Sequence, residues 1–154
     1  MLYYTNIDFI RESNKIEGIR REPTQAEIET FEEFLQLPSI TLASLKKFVK
    51  VYQPNAVLRN KAGLNVRVGT YIPPKGGPHI TEELKKILES ANAGKYAMME
   101  TYAVHHLYES LHPFTDGNGR SGRMLWRWMM REAPLGFLHH WYYQSLAFND
   151  RREK

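Results

Sequence analysis

The chain contains no cysteine among its 154 residues, which excludes a disulfide scaffold and a thiol nucleophile. It also lacks any apolar run near the roughly 18 residues that a membrane-spanning helix requires. The opening residues, MLYYTNIDFIRESNK, lack the basic region and apolar core of a signal peptide. We therefore expect a cytoplasmic protein with no membrane contact.

No single charge sign dominates the chain, since 21 lysines and arginines stand against 17 aspartates and glutamates, a net charge of +4. The basic residues are scattered except at Arg20 and Arg21 and in the tail DRREK, whereas nucleic-acid-binding proteins cluster them on one face. The chain has 42% hydrophobic residues and no repeat or low-complexity tract. We expect a single domain over residues 1–154, with no nucleic-acid partner.

Apolar residues recur at helical spacing through most of the sequence, which predicts an all-α fold. The predicted helices cover residues 6–18, 24–37, 42–52, 81–91, 95–111 and 120–133. Thr24 and Glu27 have the spacing of a capping box, and Thr81 is placed to cap the fourth helix. We expect the helix over 95–111 to be the central one. An aromatic-rich segment, 137–148, is predicted to pack as the last helix or to form a homodimer surface.

Residues 55–80 have a different composition, with glycines at 63, 69, 76 and 77 and prolines at 73, 74 and 78. These residues exclude a long helix, whereas the alternation between 64 and 72 is typical of a short β-hairpin. The alternative is a long connecting loop, and such loops in compact domains are usually functional or mobile.

The stretch richest in chemistry is HPFTDGNGRSGR, residues 112–123. His112 can exchange a proton near neutral pH and therefore suits a general base. Asp116 is a hard oxygen ligand of the kind that Mg²⁺ accepts beside substrate phosphates. A titratable ring and a carboxylate suited to bind a metal ion, only four positions apart in the sequence, indicate a reaction site.

The second half of this stretch predicts an anion site. Gly117, Asn118 and Gly119 allow successive N–H groups to point into one concavity, which binds anions. A helix beginning near Arg120 would add its positive end to the same place. Arg120 and Arg123 are three residues apart and would share a helix face toward phosphate oxygens. The whole stretch therefore predicts a polyphosphate site with a base beside it.

Three other motifs fit these residues less well. Gly117, Gly119 and Gly122 match a dinucleotide fingerprint, but the preceding segment is helical in pattern and no acidic residue follows at the required distance. A P-loop would need lysine and a hydroxyl residue where Arg123 and Met124 stand. An EF-hand fails because arginines occupy two of its ligand positions.

HPFTDGNGRSGR resembles the signature of the Fic family, H-x-F-x-[D/E]-G-N-G-R-x-x-R, at every fixed position. The resemblance implies a compact Fic-type helical bundle with a small β-hairpin flap over the active site. It also implies a protein adenylyltransferase, which transfers AMP from ATP, with Mg²⁺, to a Tyr, Thr or Ser hydroxyl of a target protein.

The same resemblance implies a role for each motif residue. His112 would act as the base and Asp116 would hold Mg²⁺. Asn118, between the two glycines of the anion site, would steady the α-phosphate. Arg120 and Arg123 would grip the departing pyrophosphate.

A second motif, SNKIEG at residues 13–18, resembles the Fic autoinhibitory pattern [S/T]-x-x-x-E-[G/N] and falls in a predicted autoinhibitory helix over 6–20. Ser13 and Glu17 are four residues apart and so face the same way. The resemblance implies that Glu17 pairs with Arg123 and keeps ATP from binding productively.

The resemblance also places the flap at residues 58–74, where it would align a target peptide by strand-like pairing. Arg67 and Tyr71 are its predicted functional side chains.

Three other activities remain open from the sequence: removal of AMP from a modified protein, transfer of the γ-phosphate by a Fic-like phosphotransferase, and silent nucleotide binding. The phosphotransferase of the family departs from G-N-G-R, which this sequence keeps. Intact His112 and Asp116 argue against a silent module.

Overall fold

A computed structural model describes residues 5–93 and 98–131. Within them six α-helices follow one another: α1 (Asn6–Ile16), α2 (Gln25–Leu35), α3 (Leu42–Tyr52), α4 (Pro78–Asn92), α5 (Met98–Leu111) and α6 (Asn118–Met129). The predicted all-α class is confirmed. The segment 137–148, predicted as a last helix or homodimer surface, lies outside the described residues.

Each of the first three helices begins after a threonine whose side chain accepts a hydrogen bond from the N–H three residues later. In α2 this is the predicted capping box: Glu27 N donates to Thr24 Oγ1 over 3.1 Å, and Thr24 N donates to Glu27 Oε1 over 2.8 Å. α1 ends at Ile16, before Gly18 takes a left-handed φ of 78°. The helix is therefore shorter than the predicted range 6–20.

α4 begins three residues earlier than the sequence pattern predicts. Its first residue is Pro78, after Gly77, and no side chain caps it. Proline suits this position because its missing N–H has no helical partner there in any case. Thr81 therefore lies inside the helix, and the prediction that it caps α4 is wrong.

α6 is the central helix, since it packs against each of the other five described helices. Met124, Leu125, Trp126 and Trp128 are all buried, as expected for a helix surrounded by protein. The prediction that the 95–111 helix is central is wrong, because α5 packs mainly against α4 and α6. α6 therefore holds its polar residues at the centre of the domain.

The segment between α3 and α4 contains no paired strands in the described part of the chain, so the predicted β-hairpin is not supported. Its one internal pairing is an antiparallel bridge in which Val68 and Tyr71 exchange two N–H···O bonds of 2.9 Å. Gly69, with φ 59°, makes the turn. Pro73 and Pro74 have no N–H to extend a ladder.

The start of this segment pairs instead with the loop that follows α5. Leu58 forms an antiparallel bridge with Phe114, and Thr115 N donates to Val57 O over 2.9 Å. The bridge buries both Leu58 and Phe114. The loop carrying the signature is thereby fixed to the segment before α4. Across the described stretches, no helix is both long and apolar enough to cross a membrane.

Candidate active site

His112 follows directly after α5, where the chain turns toward α6. Its N–H donates to Tyr108 O over 3.0 Å, and its φ of 52° lies in the left-handed region that non-glycine residues rarely adopt. Burial lowers the pKa of His112 below 6.5 and the Arg59 charge lowers it further, although the backbone of Glu109 raises it. At pH 7 the ring is neutral, so a ring nitrogen can accept a proton.

The glycines after His112 shape the start of α6. Gly117 is the residue before the helix and has φ 78°, which glycine adopts without strain. Its N–H donates to Asp116 Oδ1 over 2.8 Å. The N–H groups of residues 118–120 lie in the first helical turn, where no carbonyl of the helix can accept from them. These groups and the positive end of α6 can bind an anion.

Arg123 is paired with Glu17, which is the pair that the Fic resemblance implies. Arg123 Nη2 lies 2.7 Å from Glu17 Oε1, and Arg123 Nε donates to Ser13 Oγ over 2.8 Å. The side chain of Arg123 is 6% exposed and that of Glu17 is 39% exposed. The carboxylate also lies so close to Gly119 that a Cβ at that position would collide with Glu17 Oε1. Glu17 therefore occupies the space directly above the first turn of α6.

A cavity of about 590 Å³ lies between these groups, but Arg123, behind Glu17, is not part of its lining. It is lined by Glu17, Ile19, Gln53, Val66, Arg67, Val68, His112, Thr115, Asp116, Gly117, Asn118, Gly119 and Arg120. His112, Asp116, the first turn of α6 and Glu17 thus line a single space.

A profile of the Fic/DOC family matches residues 30–130, which is more than half of the chain. The chain belongs to the Fic/DOC family. The match includes the whole signature but not α1, so the Glu17 motif stands outside it. No match was found among the curated proteins.

Within this Fic domain, the side chain of Asn118 closes the signature loop. Its amide is buried, with Oδ1 accepting from Phe114 N over 2.9 Å and Nδ2 donating to Phe114 O over 2.8 Å. The backbone N–H of Asn118 lies in the first turn of α6, where it is available to an anion.

Arg120 is held by the interior of the Fic domain as well as facing the cavity. Its Nη2 donates to Tyr52 O over 2.8 Å and to Gln53 Oε1 over 3.0 Å, and Glu27 Oε2 lies 3.7 Å from its Nη1. Gln53 Nε2 also donates to Asp116 Oδ2 over 2.8 Å. Gln53 thus bridges the arginine and the carboxylate of the signature. Nothing in the sequence marks it, because the bridge joins positions 63 residues apart.

The two predicted flap side chains lie in different places. Arg67 lines the cavity, and its Nε donates to Gly69 O over 2.8 Å. Tyr71 instead donates from its hydroxyl to Ser110 O over 2.7 Å and lines a separate groove between α4 and α5. The structure therefore brings Arg67, but not Tyr71, to the candidate active site.

Asp116 is the one signature residue suited to hold a metal ion. No cluster of three or more potential metal ligands occurs among residues 5–93 and 98–131. Mg²⁺ is commonly bound through one or two carboxylates together with substrate phosphates, so a single carboxylate fits this chemistry. Asp116 is exposed to the cavity, and each of its oxygens retains a lone pair beyond the bonds from Gly117 and Gln53.

A second acidic residue lies behind the site and was missed by the sequence reasoning. Glu109 Oε1 is buried, makes no hydrogen bond, and would collide with a Cβ at Gly122. Burial raises the pKa of Glu109 to about 8, although the Arg123 charge lowers it. The carboxyl is thus largely protonated at pH 7. His105, buried nearby with Nδ1 2.8 Å from Gly122 O, has its pKa lowered by burial to about 3.

Proposed function

We propose that this Fic domain is a protein adenylyltransferase that transfers AMP from ATP to a Tyr, Thr or Ser hydroxyl of a target protein. The observation that carries the proposal is the shared cavity, in which the neutral ring of His112 and the first turn of α6 line the same space. Its volume of about 590 Å³ falls within the usual range for small-ligand sites. A neutral base next to an anion site is the arrangement that hydroxyl attack on a phosphate requires.

The reaction needs one proton acceptor, and His112 supplies it. The free ring nitrogen takes the hydroxyl proton while the hydroxyl oxygen forms a bond to the α-phosphorus. The bond between the α-phosphorus and the oxygen bridging to the β-phosphate breaks, and pyrophosphate leaves with the electron pair.

Charge on the phosphates is met by the start of α6. The N–H groups of residues 118–120 are already oriented before ATP arrives, so they stabilise developing charge without reorganisation. Asp116 would hold Mg²⁺ beside the substrate phosphates. When bound, that ion neutralises phosphate charge as a Lewis acid. Arg120, and Arg123 once Glu17 has left it, would bind the departing pyrophosphate.

Glu17 restrains this chemistry in the proposed resting enzyme. Its carboxylate pairs with Arg123 over 2.7 Å and lies against Gly119, where phosphate oxygens would bind. A negative group at that place competes with the substrate both for the arginine and for space. The restraint belongs to the same chain, on α1, so activation requires that Glu17 leave Arg123.

The position of the transferred label tests the proposal. Glu17→Gly protein is incubated with Mg²⁺ and ATP labelled on either the α- or the γ-phosphate, and labelling is followed on the chain itself and on proteins of a lysate. We expect α-label only, and none after a second change, His112→Asn. Asparagine is chosen because it tolerates the positive φ of this position. His106→Asn, at an exposed position of α5, is the matched control and should retain labelling.

Each other result assigns a different function. Label from the γ-phosphate would mean phosphotransfer and would overturn the proposal. Absence of both labels, with loss of AMP from a previously modified protein, would mean AMP removal. Absence of α-label, of γ-label and of AMP removal, in a protein that still binds ATP, would mean a silent binding module.

A further inference from the structure

Arg59 is completely buried, yet it has no carboxylate partner among the described residues. Four of its five N–H groups donate to backbone carbonyls: Nε to His112 O (2.6 Å), Nη1 to Leu64 O (3.1 Å) and Pro74 O (2.8 Å), and Nη2 to Leu111 O (2.8 Å). A buried cation is costly unless it is fully hydrogen-bonded. The buried guanidinium of Arg59 therefore depends on all of these carbonyls as acceptors, and the carbonyls depend on Arg59 as their donor.

Two of the carbonyls belong to the end of α5. Leu111 is the last residue of that helix and His112 is the base itself. Carbonyls at a helix C-terminus have no helical N–H to accept from, and a cation there is favoured by the helix dipole. The guanidinium thus satisfies the backbone at the turn where His112 takes its positive φ of 52°. A strained residue keeps its conformation only when its surroundings fix it.

The other two carbonyls bound the cavity wall. Leu64 and Pro74 lie on either side of residues 65–73, which we call the wall segment and which supplies Val66, Arg67 and Val68 to the cavity. Arg59 Nη1 donates to a carbonyl at each end of the wall segment, so this one nitrogen holds the two ends close together. The wall segment has no strand pairing beyond a single bridge, so this bond pair is a main restraint on its base.

The backbone of Arg59 extends the same connection. Its N–H donates to Pro113 O and its carbonyl accepts from Gly77 N, each over 2.9 Å. The residue is therefore tied through six hydrogen bonds to the end of α5, to the loop after it and to the segment that leads into α4.

We propose that Arg59 is a positioning residue that fixes the turn carrying His112 and both ends of the wall segment in one arrangement, so that the base and the facing wall keep their separation. The inference rests on the proposed function, because His112 is taken there as the base. The planar guanidinium suits this task because its donors form a rigid fork, whereas a lysine ammonium is a single point.

The test compares Arg59→Lys and Arg59→Met with Arg127→Lys, each in the Glu17→Gly background. Arg127 is a matched control, because it is also a buried arginine, on α6, and no described contact joins it to the loop. Hydrogen exchange should be faster by about tenfold at residues 65–72 and 114–115 in Arg59→Lys, as expected when bonds to a charged group are lost. The control should change neither stretch.

Kinetics then separates positioning from general destabilisation. We expect Arg59→Lys, assayed well below its unfolding temperature, to lose about 100-fold in kcat with little change in the KM for ATP. An Arg59→Lys protein that exchanges and turns over like its parent would overturn the proposal. Hydrogen exchange does not depend on turnover. If the protein proved not to transfer AMP, the hydrogen-exchange comparison of the Arg59 and Arg127 variants would still test the positioning role.

A measurement on the unsubstituted chain covers the case in which both Arg59 variants fail to fold. In nitrogen-15 spectra the guanidinium protons of Arg59 should be resolved and slow to exchange, unlike those of Arg11, whose side chain is 31% exposed. Rapid exchange and free rotation of the Arg59 guanidinium would contradict the proposal.

Discussion

Replacing Glu17 by glycine should raise activity and lower stability at the same time. The change removes the carboxylate that lies 2.7 Å from Arg123 Nη2 and that packs against Gly119. Arg123 keeps its bonds to Ser13, so the arginine stays in the site and only its charge partner is lost. Productive ATP binding then no longer has to break an ion pair.

The size of the effect follows from the exposure of the pair. Fully exposed ion pairs contribute about 0.2–1 kcal/mol, and bonds to buried charged groups about 1.5–3 kcal/mol. Arg123 is 6% exposed and Glu17 is 39% exposed, so we take about 1–2 kcal/mol for this pair. That free energy corresponds to about 5- to 30-fold tighter productive binding of ATP. The same loss should lower the free energy of unfolding without ligand by about 1–2 kcal/mol.

The assay measures ATP affinity by calorimetry, labelling from α-labelled ATP, and thermal unfolding in the absence of nucleotide. Glu17→Gln separates charge from size, because it keeps an acceptor near Arg123 but removes the negative charge. Glu22→Gly is the control, since Glu22 pairs with Arg11 away from the cavity. Unchanged affinity and labelling in Glu17→Gly would refute the autoinhibitory role, whatever the unfolding temperature.

Three further perturbations test separate parts of the site. In the Glu17→Gly chain, the rate of labelling should stay constant from about pH 7 to pH 8 and fall as the pH drops through the lowered pKa of His112. The reason is that a protonated ring cannot take the hydroxyl proton. A labelling rate that rises toward acid pH would contradict this. Gln53→Leu removes the 2.8 Å bond to Asp116 and should weaken binding of Mg²⁺-ATP about tenfold in calorimetry. Gln36→Leu, at an exposed position, is the control and should leave the affinity unchanged. Equal affinities of the two variants for Mg²⁺-ATP would exclude the bridging role of Gln53. Glu109→Gln should change how the stability of the fold depends on pH. Burial raises the pKa of Glu109 from 4.5 to about 8, so between these pH values the folded chain holds a proton that the unfolded chain has released. The stability present below pH 4.5 is therefore lost as the pH rises to about 8. Thermal unfolding should therefore show the gain of Glu109→Gln over the parent growing from pH 4.5 to about 8, and a gain independent of pH would contradict the raised pKa.

Local signals in the sequence predicted much of the fold. The capping box of Thr24 and Glu27 and the apolar stripes fixed the helix class, because both depend on residues three or four positions apart. The alternation between residues 64 and 72 was misleading. Pro73, Pro74 and the turn at Gly69 leave room for one bridge only. The start of α4 was misplaced because a proline at the first position serves as well as a threonine cap.

The candidate site divides in the same way. The signature brought His112, Asp116 and the start of α6 together in sequence, so their proximity was predictable. The roles of Gln53 and Arg59 were not, because the bonds that join them to the signature reach across more than fifty residues of sequence and depend on how the helices pack. A buried arginine bonded only to carbonyls also leaves no acidic partner in the sequence to reveal it.

The most direct test of the adenylyltransferase proposal is the intact mass of the Glu17→Gly chain after incubation with Mg²⁺ and ATP. The proposal predicts a gain of one adenylate, mapped to a hydroxyl side chain of the chain, and no gain when His112→Asn is added. A gain of phosphate alone, or an adenylate that still forms without His112, would contradict it.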